Sequence, residues 1–109
     1  MSQSNDSLRL GHMLELAREA MEILGDRALD ALFADRVLQL ALLHLVGVIG
    51  EAAAKVTEEG RKTRPGIPWR DVVGMRNRLI HGYDEVDLKV LYDTIRYDLP
   101  ELVRELDKT

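Results

Sequence analysis

The chain has 109 residues, the size of one ordinary domain, with 46% hydrophobic and 31% charged residues, a balance that excludes a disordered chain and leaves no room for a second domain. It has no cysteine, which excludes disulfides and thiolate metal sites and fits a reducing cytoplasm. The formal net charge of -4 speaks against nucleic-acid binding by the chain as a whole.

Residues 1–7 are polar and are expected to form a disordered tail without the features of a signal peptide. From Leu8 the pattern is helical: Leu10, Met13, Leu14, Ala17, Met21 and Leu24 form one apolar stripe, and Gly25 is its stop. Asp26 is a plausible cap for a short helix through Phe33. Asp35 then caps the longest helix, expected to run to about Glu59 and apolar almost all round. Its most apolar run, Val37 to Gly50, has 14 residues, short of the roughly 20 a membrane span needs, so it reads as a buried helix. A small bundle cannot cover every face of such a helix, which implies burial against a second subunit. Gly47, Gly50 and Ala54 would admit another helix closely, at a cost of about 1 kcal/mol of helix propensity per glycine.

Gly60 to Pro68 reads as a loop. Pro68 suits the first turn of a helix expected from Trp69 to about His81, with Gly82 just past its end. Asp87 caps the last helix, whose stripe is Leu88, Leu91, Ile95, Leu99, Leu102 and Leu106, with a kink expected near Leu99 from Pro100. No strand is expected. The fold class is all-α, a single-domain bundle of four main helices plus one short one that forms a symmetric homodimer.

Charge and chemistry concentrate late in the chain. Arg61, Lys62, Arg64, Arg70, Arg76 and Arg78, six of fifteen basic residues, fall between 61 and 81 against one acid, Asp71. Such a segment reads as an RNA-phosphate surface or simply as a solvated face. Arg76, Asn77, His81 and Tyr83 lie within eight residues. On a continuous helix Asn77 and His81 share a face, so Asn77 either orients the imidazole or caps the turn. Arg76 and His81 stand about 140° apart and do not converge on one straight helix, whereas two copies across a two-fold axis can bring them together. His81 can give and take protons, and Arg76 can clamp phosphate and stabilise its developing charge. The combination describes metal-independent cleavage of RNA with the 2′-hydroxyl as nucleophile. Glu51 on the long helix either orients Arg76 by an ion pair or is merely solvated. His44 reads as a core or interface histidine, His12 as surface and Trp69 as core, and His81 with Asp84 does not make a metal site.

Residues 67–102, "IPWRDVVGMRNRLIHGYDEVDLKVLYDTIRYDLPEL", with "IGEAAAKV" and "FADR" upstream, resemble the HepT family of HEPN-domain proteins. The family signature falls on Arg76, Asn77, His81 and Tyr83, and the resemblance covers roughly Leu8 to Leu106. It implies an all-α dimer with a composite ribonuclease site, needing no cofactor or metal. It also implies the toxin half of a toxin–antitoxin pair whose antitoxin, a minimal nucleotidyltransferase, attaches AMP to Tyr83. One departure stands out: where relatives often carry a charged pair on the long helix, this chain has His44 and Gly47. Two other readings remain open, a non-catalytic nucleotide- or substrate-binding partner of such a nucleotidyltransferase, and a structural dimeric bundle with a decayed site.

Overall fold

The computed structural model describes residues 2–82 and 85–108. Tyr83 and Asp84 therefore lie outside the described residues. Helix α1 (Ser2–Leu24) begins earlier than the expected Leu8. Its Asp6 is buried and accepts hydrogen bonds from the hydroxyl of Thr57 and, at 3.0 Å, from the Thr57 N–H, which ties the first turns to the bundle. Gly25, at φ 59°, ends α1 as expected. Helix α2 (Leu29–Ala34) starts after Ala28 with no side-chain cap, so Asp26 does not fill that role.

Helix α3 (Arg36–Ala54) is the centre of the molecule. Asp35 caps it through the Leu38 N–H at 3.0 Å. The helix stops at Ala54, short of the expected Glu59, because Thr57 caps a separate helix, α4 (Glu58–Lys62), and accepts from the Gly60 N–H at 3.1 Å. The expected loop from Gly60 shortens accordingly.

The helix expected over residues 69–81 is two short helices, α5 (Trp69–Val73) and α6 (Met75–Leu79), broken at Gly74. Nor does it reach His81. Ile80 turns to extended backbone at φ -107° and ψ 119°, and β1 (Ile80–His81) pairs antiparallel with β2 (Glu85–Val86) in the register Ile80 with Val86 and His81 with Glu85. The expectation of no strand is corrected here. Gly74 weakens the helix interior and β-branched Ile80 favours the extended form. Gly82, at φ 71°, supplies the left-handed turn of the hairpin rather than a helix cap.

Asp87 caps α7 (Leu88–Asp93), accepting from the Val90 N–H at 3.1 Å. A π-helical turn, Thr94–Asp98, leads into α8 (Leu99–Leu106). Pro100 cannot donate the N–H that an α-helix would offer to Arg96, and the backbone answers by widening: the Leu99 N–H bonds Thr94 O instead.

Met13, Ala17, Ala20 and Leu24 of α1, Leu38, Leu42, Val46, Ile49 and Ala53 of α3, and Leu91, Ile95, Leu99, Leu102 and Leu106 of the last helices form the core. The α1 stripe is thus rotated from the expected one, with Leu10, Leu14 and Met21 half-buried at its margin. With 19 residues and a mean hydropathy of 1.8 in its most apolar window, α3 has the length and composition of a membrane span, yet 44% of that window is buried among the other helices. Its remaining face is open: Val37 is 76% exposed and Leu40 49%, in line with His44, Glu51 and Ala54.

Candidate active site

The α6–hairpin–α7 unit lies along the open face of α3. Gly50 lets α5 approach so closely that a Cβ there would sit 3.3 Å from the carbonyl oxygens of Val72 and Val73. Gly47 lets the Arg76 side chain cross the helix, where a Cβ would meet Arg76 Cδ at 3.0 Å. The two glycines that the sequence assigned to a neighbouring helix therefore serve α5 and α6 of the same chain. Arg76 is exposed and lines grooves with Gly47, Glu51 and Asn77 on one side and with His44 and Leu40 further along. No ion pair links it to Glu51, so Glu51 shares the groove without holding the guanidinium.

His81 is exposed on the hairpin, with its Nε2 3.4 Å from Asp87 Oδ2. Asn77 is not its partner. Helix α6 ends at Leu79, so the four-residue spacing no longer places the two on one face, and Asn77 lies in the Arg76 groove instead. The Asp87 carboxyl is held below its ordinary value of 3.8, chiefly by the Val90 N–H; partial burial opposes this and the His81 contact adds to it. Asp87 thus stands beside His81 as an anion through the neutral range. Sequence reasoning gave Asp87 only its cap. The usable signal was its position six residues after His81 across a glycine turn, the reach of a tight hairpin. Arg36, missed as well, lines one groove with Arg76, Ile80 and Val86 and has no neighbour in the sequence to announce it.

The basic cluster divides. Arg61 stacks over Trp69 at 5.3 Å and donates to Ala53 O at 3.2 Å. Arg64 donates to Thr63 O, while its own carbonyl accepts from Trp69 Nε1 at 3.2 Å. Both are half-buried, and these contacts fasten the 63–68 loop to the bundle. Trp69 is half-buried between them rather than in the core. Arg78 donates to Asp71 O at 3.0 Å and lines a cavity with Asp71, Asp98 and Glu101, away from Arg76. Lys62 and Arg70 are exposed. Among the described residues no group of three or more His, Asp or Glu is placed to hold a metal ion.

The family model for ribonuclease HepT-like proteins matches residues 13–109, and the chain belongs to that family. A Thermococcus cleftensis protein named "Probable ribonuclease HepT" is 33% identical over 99 residues, covering 87% of this chain and 90% of its own. A Methanocaldococcus jannaschii protein named "Putative RNase MJ1380" is 28% identical over 107 residues and covers 98% of both chains. A Caldanaerobacter subterraneus protein named "Putative RNase TTE0752" is 30% identical over 97 residues, covering 89% of this chain and 87% of its own. No solved structure matches the chain significantly.

Proposed function

We propose that the chain is a metal-independent RNA endonuclease that acts as a homodimer across the open face of α3, with His81 from one protomer meeting Arg76 from the other. Family membership and the names of its relatives support RNA as the substrate. The observation that carries the reading is the pairing, in one short helix–hairpin unit, of an exposed imidazole held beside a carboxylate and an exposed guanidinium that makes no ion pair among the described residues.

In this reading His81 takes the proton of a ribose 2′-hydroxyl as that oxygen attacks the adjacent phosphorus. The bond to the 5′ oxygen breaks, and an imidazolium returns a proton to it. The products are a 2′,3′-cyclic phosphate and a 5′-hydroxyl. Arg76 binds the non-bridging oxygens and stabilises their growing charge, and Asn77 lies beside it in the same groove. Arg36, Lys62 and Arg70 are the candidates to hold flanking phosphates. The protein is the toxin half of a cytoplasmic pair, neutralised by a nucleotidyltransferase that attaches AMP to Tyr83; an anionic adduct two residues along the chain from His81 would repel RNA phosphate.

Cleavage of RNA by the purified protein in the presence of a chelator tests the reading. His81→Ala and Arg76→Ala are each expected to lower the rate by about a hundredfold or more. Equal cleavage by the His81→Ala protein overturns the assignment. Absence of cleavage by the unaltered protein leaves the binding-partner reading.

A further inference from the structure

Asp87 is engaged three times. Its N–H donates to Leu79 O at 2.7 Å, which closes the hairpin against the end of α6. Its Oδ1 accepts from the Val90 N–H at 3.1 Å and caps α7. Its Oδ2 faces His81 Nε2 at 3.4 Å. Capping uses one side-chain oxygen, and Asn or Ser would cap as well. What only a carboxylate brings is a second oxygen carrying charge, and that oxygen is the one turned to the imidazole.

We infer that Asp87 is the positioning residue of His81, holding the ring by its Nε2 edge so that Nδ1 is the nitrogen presented to the RNA. This deepens the function proposed above and rests on it. The geometry has few degrees of freedom. The pairing of Ile80 with Val86 and of His81 with Glu85 sets the backbone of both partners, and the α7 cap sets the rotation of the carboxylate. His81 itself is exposed, its side chain at 58%, so the surrounding core does not fix the ring. Asp87 holds it by Nε2, and Nδ1 has no hydrogen-bond partner among the described residues. When His81 takes a proton, the resulting imidazolium lies against an anion already in place, which favours the proton transfer without reorganisation. Glu85 is the residue opposite His81 in the strand pairing and carries the next carboxylate to compare.

The test uses Asp87→Asn and Asp87→Ser, both of which keep a capping oxygen and remove the charge, with Glu85→Gln for comparison. Thermal unfolding is expected to stay close to that of the unaltered protein. The ring nitrogens of His81, followed by 15N NMR without RNA, are expected to show mainly the Nε2–H tautomer in the unaltered protein and to lose that preference in both Asp87 variants. On RNA, kcat is expected to fall about tenfold with KM unchanged, as for a mispositioned catalytic group. An unchanged tautomer preference in both Asp87 variants, or a change confined to Glu85→Gln, overturns the inference. So does unfolding of both Asp87 variants, which would make the charge part of the fold itself. If the tautomer preference changes but the unaltered protein cleaves no RNA, the coupling of the two residues stands and the ribonuclease reading falls.

Discussion

Gly47 and Gly50 sit one turn apart on α3, yet substituting them has different consequences. A methyl group at Gly47 would press on the flexible end of Arg76, whereas one at Gly50 would press on the α5 backbone. Gly47→Ala is therefore expected to leave urea stability unchanged or raise it by up to about 1 kcal/mol through helix propensity, while RNA cleavage falls as Arg76 is displaced. Gly50→Ala is expected to destabilise by about 1–3 kcal/mol in the same measurement, since α5 must shift. Equal stability losses at the two positions would contradict this account. The sequence made both glycines visible as sites of close approach, because a glycine inside so apolar a helix needs a packing reason. It did not reveal what approaches, since Arg76 and Val72 are brought there by the break at Gly74. Asn77 shows the same boundary. Four-residue spacing is a sound rule on a helix, but α6 ends two residues before His81.

Caps that act within one turn were the legible part of the elements. Asp35 and Asp87 cap where their spacing to the following apolar stripe indicates, and Gly25 ends α1. The Thr57 cap was hidden, because the apolar pattern of α3 continues through Val56 and masks the start of α4. A two-residue β pairing is likewise too short to leave an alternating pattern. The partner of Thr57, Asp6, lies 51 positions away, which no local rule reaches. This latch has a pH signature. The Asp6 carboxyl is held below its ordinary 3.8, first by the Thr57 hydroxyl and then by the Thr57 N–H. A carboxylate with a lowered folded value stabilises the fold above its unfolded value and loses that contribution as pH falls through the folded one. The contribution is thus full above about pH 5 and absent in strong acid. The urea midpoints of the unaltered protein and Asp6→Asn are expected to differ at neutral pH and to converge in strong acid; a gap independent of pH would remove Asp6 from the account.

At the scale of the molecule, the all-round apolar pattern of α3 leads to the expectation of a second subunit against it. The bundle covers part, and Val37 and Leu40 remain exposed beside the Arg76 groove. Because neither is buried within the chain, Val37→Glu and Leu40→Glu are expected to leave the fold intact, seen by circular dichroism, while light scattering reports monomers and cleavage is lost. Dimers that persist in both variants would place the subunit contact elsewhere. The most direct measurement mixes two inactive proteins, His81→Ala and Arg76→Ala, and follows RNA cleavage after subunit exchange. If the site is shared between protomers, each mixed dimer regains one intact site, and random exchange restores about a quarter of the unaltered rate. A mixture as inactive as its two components contradicts a site built from both protomers.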